Sequence, residues 1–343
     1  MTKVHLNLNP SRDYLRRPLR LFLVYTGLAL ATSCHSDRSE GPAEPAGKPA
    51  SSGSHAELLL LVEDSHWEGP IGETLKRTFA RPFPGLLQSE SLFNTIPVNP
   101  KAVTGLLKRT KSIVIIEVQD SAYFRVERNL WAQPQIVAII AGPENTIRQT
   151  LRDRRQELID LFREHDIQLI QRRMAKSSVK NLPQPLLNMG IQKMTLPKGL
   201  QLTTHNDTVA VFWQRGMKTD QGLLVYSRVL RDEVLPGQDV IAVRDSICKY
   251  YIPGAIEGAY MGTETEITPI QKIVPIGNHF AIETRGNWTS INDRMGGPFI
   301  SYTIYLDEQD RIVTLDAWFY GPSVKKRNFL LEMEAYMRSV QFN

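Results

Sequence analysis

The sequence predicts an α+β fold in two parts, with largely antiparallel sheets and packed helices. Three observations predict it. Near the C-terminus, two runs rich in β-branched and aromatic residues (299–306 and 311–320) flank the acidic turn Asp307-Glu308-Gln309-Asp310, the signature of a long antiparallel hairpin. In the first half, short apolar runs alternate with stretches of helical periodicity in the order strand, helix, strand, helix, three strands, helix. Between the halves, residues 174–190 gather Lys176, Ser177, Asn181, Pro183, Pro185, Asn188 and Gly190, the composition of a boundary. The resulting division is a leader over 1–33, a tether over 34–55, an N-terminal α+β domain over 56–180 and a C-terminal α+β domain over 190–343.

Residues 1–20 are basic and polar, and 21–31 form an apolar run of eleven, the size of a signal-peptide core and too short to span a bilayer. The run ends in Leu30-Ala31-Thr32-Ser33-Cys34. This stretch resembles a bacterial lipoprotein signal, in which small residues precede a cysteine that is lipidated and becomes the new N-terminus. Two or three acyl chains on Cys34 give firm anchoring where a single chain is marginal. The Pro, Gly, Ala and Ser stretch that follows buries too little apolar surface to fold and reads as a tether.

In the N-terminal domain, 58–62, 92–98, 112–118, 122–126 and 135–141 read as strands. Ile71, Thr74, Leu75, Thr78 and Phe79 fall on one side of a helix, and Pro100 opens another carrying Val103, Leu106 and Leu107. One long helix follows Gly142-Pro143, with Ile147, Leu151, Leu158, Ile159 and Phe162 on its apolar side. In the C-terminal domain, 200–204, 209–214 and 223–229 form an antiparallel series. Val240, Val243, Ile247 and Cys248 mark a short helix, and 267–276 with 279–284 form a hairpin around Gly277-Asn278. The main hairpin comes next. A last helix over 324–340 presents Phe329, Leu330, Met333 and Met337 to it. Neither arm of the main hairpin alternates cleanly between apolar and polar, which predicts a sheet covered on both faces.

The charge of +5 at first suggests a nucleic-acid partner. Five cations against Asp13 give the leader +4, so the body carries only about +1, a poor electrostatic case for nucleic acid. The two cysteines, Cys34 and Cys248, make neither a disulfide framework nor a thiolate cluster. Glu63, Asp64 and His66 lack the spacing of a metal site, and no motif requires a cofactor. No Gly-x-Ser-x-Gly elbow or P-loop is present, and Ser246 lies beside Arg244 and Asp245 without a base. No catalytic residue is assigned. Arg285-Gly286-Asn287-Trp288, followed by Arg294 and Gly296-Gly297, reads as a loop at the rim of the sheet. Two readings stay open: a structural loop that lets Trp288 cover the hairpin's edge, or, with Trp67, a candidate recognition surface of Trp67, Arg285, Trp288 and Arg294. The second strengthens if Trp67 and Trp288 meet at one cleft.

The leader, Trp67-Glu68-Gly69-Pro70, Trp131-Ala132-Gln133-Pro134-Gln135, Leu196-Pro197-Lys198-Gly199, Arg244-Asp245-Ser246, Tyr251-Ile252-Pro253-Gly254 and Met295-Gly296-Gly297-Pro298-Phe299 together resemble a family of Bacteroidota lipoproteins described only as a domain of unknown function. The resemblance covers nearly everything after Cys34. It implies a lipid-anchored place at a Gram-negative outer membrane, facing either the periplasm or the cell surface, and supplies no catalytic residues. The expectation is a non-enzymatic envelope component that binds a protein or a glycan. Two alternatives stay open. One is an envelope hydrolase or carbohydrate-active enzyme, for which Glu283, Asp293 and Asp316 are the acidic candidates. The other is a purely structural envelope protein.

Overall fold

The computed structural model describes residues 47–230 and 239–342. The expected leader, Cys34 and the first part of the tether lie outside the described residues. The body comprises two α+β domains, one built on a mixed sheet and one on an antiparallel sheet that curls into a half-barrel.

The N-terminal domain begins with β1 (Glu57–Leu61), α1 (Asp64–Trp67), α2 (Pro70–Phe79) and β2 (Asn94–Val98). It continues with β3 (Ser112–Val118), β4 (Tyr123–Arg128), β5 (Ile136–Gly142), α3 (Glu144–Asp153) and α4 (Arg155–Ala175). The strand order is β2-β1-β3-β5-β4, and only β4 runs antiparallel to its neighbour. Leu58-Leu59-Leu60-Leu61 is uniformly apolar because β1 is central. Leu58 and Leu60 pack beneath the helices, and Leu59 and Leu61 pack on the opposite face with Val103, Leu107 and Trp131.

The helix expected from Pro100 is instead two 3-10 turns, Pro100–Ala102 and Leu107–Arg109. The Val103-Thr104-Gly105 stretch between them is too short and too poor in helix formers to sustain a helix. Val103 and Leu107 still pack on the sheet, whereas Leu106 is exposed. The long helix expected after Pro143 is two helices that break at Arg154. On α4, Phe162 meets Phe79 and Phe93 edge-on, with ring centroids 6.0 and 6.3 Å apart.

The C-terminal domain follows α5 (Gln184–Asn188) and β6 (Ile191–Lys193). Its sheet comprises β7 (Gln201–His205), β8 (Val209–Arg215), β9 (Asp220–Val229) and, after α6 (Val240–Tyr251), β10 (Tyr260–Thr263) and β11 (Ile270–Ile276). The hairpin strands are β12 (His279–Ile291), β13 (Gly296–Leu306) and β14 (Arg311–Tyr320), followed by α7 (Arg327–Met337) and β15 (Gln341–Phe342). The order is β10-β12-β13-β14-β9-β8-β7, with β11 also on β12 and a separate β15–β6 pair.

The hairpin β13–β14 is central, and both its faces are covered, as the lack of clean alternation implies. Ile300, Tyr302, Ile304, Leu315 and Phe319 join the core under α7, while Phe299 and Trp318 face α6 with Cys248. On α7, Leu330, Met333 and Met337 are buried, and Phe329 stacks on Phe319 with centroids 4.2 Å apart. One apolar core joins the domains, with Phe162 and Ile170 of α4 and Leu330 and Met333 of α7 in the same cluster.

At this junction lies Glu334, only 4% exposed. One of its oxygens accepts from Arg163 of α4 at 2.6 Å and from Arg285 of β12 at 2.7 Å, and Arg338 approaches the other at 3.6 Å. Arg285 also donates to Glu283 at 2.7 Å, whose second oxygen accepts from the Tyr302 hydroxyl at 2.8 Å. Burial disfavours the Glu334 carboxylate, but Arg163 and Arg285 outweigh that and hold it well below the ordinary carboxylate range. Glu334→Gln should cost about 3–5 kcal/mol in urea melts, because it leaves buried arginines facing a neutral amide. A variant that unfolds at the wild-type midpoint would show that the pair contributes little.

A second buried charge cluster fixes the start of the body. Asp166 of α4 accepts from the Ala56 amide at 2.8 Å and pairs with buried Lys111 at 2.9 Å. Beside it, His165 is buried, and that burial pulls its imidazole down to about 4 despite the opposing pull of Asp166. The unfolded chain takes up this proton near pH 6.5, whereas the fold resists it until about pH 4. Stability present above pH 6.5 is therefore lost as pH falls towards 4, by about 3 kcal/mol. Melting temperatures measured across that window should drop for the wild type and drop less for His165→Gln. Equal slopes would exclude His165 as the cause.

Candidate functional site

One cross-strand row on the α6 face of the curled sheet builds a cavity. Trp213 of β8 lies opposite Gly222 of β9, Gly222 lies opposite Trp318 of β14, and Trp318 lies opposite Phe299 of β13. The glycine is what lets the tryptophan lie down. A Cβ on Gly222 would stand 2.0 Å from the Trp318 ring. Trp213 then meets Trp318 edge-on, with centroids 5.2 Å apart and planes at 82°.

Trp288 and Tyr320 add a second aromatic pair, with centroids 6.3 Å apart. The Trp288 indole N–H donates to the Phe319 carbonyl at 3.2 Å, and Trp288, 5% exposed, backs the cavity from the core. With Tyr251, these rings line a cavity of about 370 Å³, within the usual range for a small-molecule site. Residues 252–255, just after α6, also line it, as do Met261, Ser290 and Met295.

Polar groups sit in two places. At the mouth are Thr203, Thr204, Arg215 and Asp220. The Arg215 guanidinium lies 5.4 Å from the Trp213 ring centroid, and Asp220 accepts from the Gly216 amide at 3.2 Å. Behind the wall is Ser290, 5% exposed, whose hydroxyl is closed off from the cavity and has no hydrogen-bond partner. Gly254 packs so closely here that a Cβ on it would lie 2.9 Å from that hydroxyl.

The position of the 252–255 segment depends on how α6 is tied to the sheet. Arg244 of α6, 1% exposed, donates to both oxygens of Asp316 on β14, at 2.8 and 3.3 Å. It also donates to Thr263 at 3.0 Å and lies 3.8 Å from the Phe299 centroid. Burial alone would lower the Arg244 pKa, but Asp316 overrides it and holds the guanidinium above its ordinary value. One turn further along α6, burial pushes the Cys248 thiol up to about 12, the setting of an inert packed sulfur.

The expected recognition residues separate. Trp288 lines the cavity, but it does so from the middle of a strand, since 285–288 is not the loop that the sequence suggested. Arg285, 3% exposed, is committed to Glu283 and Glu334 and offers no surface. Polar residues around a glycine resemble a loop in sequence. Here the glycine makes room for Phe299, and the arginine has buried acids to meet. Arg294 is exposed in the β12–β13 turn. Trp67 lies on α1 under the Lys76 ammonium, 4.4 Å away, and is not among the residues lining this cavity. The two tryptophans therefore do not share it.

Of the acidic candidates for hydrolysis, Glu283 and Asp316 are buried in arginine pairs, and Asp293 accepts from the Arg294 amide at 2.7 Å. Asp64 accepts from Asn99 at 3.0 Å, and Glu63 pairs with Lys101 at 3.8 Å. Sequence reasoning missed Trp213, Tyr251, Ser290, Trp318 and Tyr320. Two of them, Trp213 and Trp318, share a signal with Gly222, one register across three paired strands.

Residues 182–339 match the family model described as Domain of unknown function (DUF4837). Residues 51–175 match a second, Domain of unknown function (DUF8532). The cavity lies wholly within the first of these stretches. A comparison with curated proteins finds no match.

Gly222→Ala should displace Trp318, cost about 1–3 kcal/mol and alter the near-ultraviolet dichroism of the Trp213–Trp318 pair. Gly105→Ala, with no atom within 4 Å of the added methyl, should leave both unchanged. An unperturbed Gly222→Ala spectrum would contradict the close packing of the row.

Proposed function

We propose that this protein is a lipid-anchored outer-membrane lipoprotein of the Bacteroidota type. In this reading it acts as a non-enzymatic binding component and holds an envelope ligand in the tryptophan-lined cavity. The observation that carries the binding reading is that cavity: the half-buried rings of Trp213, Tyr251 and Tyr320 line one concavity, backed by the buried Trp288 and Trp318. The anchoring reading rests on the sequence, on the basic and apolar leader ending in Leu30-Ala31-Thr32-Ser33-Cys34. Among the described residues no helix is long and apolar enough to cross a membrane, so in this reading the acyl chains on Cys34 supply the attachment. The commitment of Glu283 and Asp316 to arginines favours binding over hydrolysis.

Labelling with radioactive palmitate and fractionating the cells tests the anchor. Wild type should carry label and sediment with membranes, and Cys34→Ala should lose both properties. An unlabelled wild type, or equal membrane retention of the variant, would overturn the anchor.

A further inference from the structure

Resting on the lipid-anchored reading, we infer that the end of the N-terminal domain to which residues 48–52 are fastened is a second membrane contact. It is a basic surface with one protruding leucine, which seats on anionic lipid headgroups and orients the body against the bilayer. The first observation is where the chain enters. The Ser51 amide donates to the Gln133 carbonyl at 3.1 Å, and the Gln133 amide donates to the Pro49 carbonyl at 2.9 Å. The Ser52 amide donates to the Arg109 carbonyl at 2.8 Å, the Arg109 side chain donates to the Ala50 carbonyl at 3.0 Å, and Lys48 donates to the Asn129 carbonyl. The chain therefore enters between the turn at Leu107–Arg109 and the 129–135 loop. Thirteen positions separate Cys34 from Gly47, a reach of at most ~45 Å. Acyl chains on Cys34 hold this end of the domain within that distance of the bilayer. At the resulting effective concentration, a surface too weak to hold a free protein on a membrane holds a tethered one.

The second observation is charge. The three segments that meet here, 47–53, 104–110 and 128–135, hold Lys48, Lys108, Arg109 and Arg128 and no carboxylate. Lys48, Lys108 and Arg128 are exposed. The acids nearest in sequence are engaged: Glu127 pairs with Arg125 at 3.6 Å, and Glu57 accepts from the Ser54 amide at 3.5 Å. An anionic leaflet attracts such a cluster, by about fivefold in affinity for each cation near the surface. The attraction falls off within a Debye length, so it acts on a surface that the anchor already keeps close.

The third observation is apolar. The helices pack on one face of the mixed sheet, and the 100–109 segment packs on the other. Within that segment Val103 and Leu107 turn inward, while Leu106 stands out, 69% exposed. Beside it the half-buried Trp131 lies under the Lys108 ammonium, which is 5.7 Å from the ring centroid. A single exposed leucine needs no explanation by itself. Next to the chain's entry, among cations and an indole, it has the chemistry of a shallow interfacial contact, with carbon entering the headgroup region and ammonium and guanidinium groups staying with the phosphates. The opposite end of the body is marked by Tyr250, 84% exposed on α6. Helix α4 packs on α7, and α7 and α6 lie on opposite faces of the second sheet, so α6 is the layer farthest from the 100–109 segment.

The test uses the mature protein, purified from membranes in detergent and reconstituted into phosphatidylcholine vesicles with or without phosphatidylglycerol. A fluorophore is placed on Leu106→Cys or on Tyr250→Cys, and the lipid carries a quencher. Cys248 is buried and Cys34 is acylated in the anchored reading, so the label goes to the introduced thiol. With phosphatidylglycerol present, the label at 106 should be quenched about threefold more than the label at 250. Raising the salt to about 0.5 M, omitting phosphatidylglycerol, or reversing two charges with Lys108→Glu and Arg128→Glu should each remove the difference. The salt and lipid arms need no charge substitution, so they decide the matter even if the reversed protein misfolds. Equal quenching at the two positions, or a difference that persists without phosphatidylglycerol, would overturn the oriented contact while flotation with both kinds of vesicle keeps the anchor. Flotation that requires phosphatidylglycerol would overturn the anchor and keep the contact. Protein that floats with neither vesicle would overturn both.

Discussion

The two domains hold one another through a carboxylate that water does not reach. Glu334 projects from the last helix into a space where guanidinium groups arrive from three elements: Arg163 from α4, Arg285 from β12 and Arg338 from beyond the end of α7. A buried ion pair of this kind adds little net stability over well-packed apolar residues of similar size, but separating it is expensive. Its effect is therefore on arrangement. Any packing of α4 against α7 other than the observed one separates Arg163 from Glu334. The apolar core around Phe162 and Met333 supplies the driving force for the domains to meet, and the Glu334 cluster selects how they meet.

The other face of the antiparallel sheet is organised by the same device at smaller scale. Arg244 grips Asp316 and Thr263 and stacks on Phe299, so α6 is fastened to three different strands through one side chain. The helix carries residues 252–255 with it, and those residues form a wall of the cavity. A rigid sheet thus presents the aromatic row from below, and a pinned helix sets the wall across from it. Preorganisation of this kind lowers the ordering cost that a ligand would otherwise meet on binding.

The aromatic row itself depends on a vacancy. Large rings at Trp213 and Trp318 fit on the two strands that flank β9 only because Gly222 of β9 between them has no side chain. The same exchange appears at Gly254, whose missing Cβ leaves space beside the Ser290 hydroxyl. Here the strands stay fully paired through Trp318, Gly222 and Trp213, and the side-chain pattern makes the space.

Composition and period alone determined much of this molecule: the α+β class, the central hairpin with its turn at 307–310, the strands β1, β3 and β5, and the helices α2, α6 and α7. Each of these is a local property, set by β-branched runs, helical spacing and turn residues within some ten positions. Only the tertiary structure decided the rest, because the deciding partners are far apart in sequence. Arg285 reads as a loop residue until Glu283 and Glu334 are beside it, and Asp316 reads as a candidate acid until Arg244 closes on it. Trp288 was legible as a candidate by its type. Trp213 and Trp318 were not, since what brings them together is strand register and the burial that follows from it. Register pairs residues that the sequence separates by up to about a hundred positions, and no local pattern carries that information.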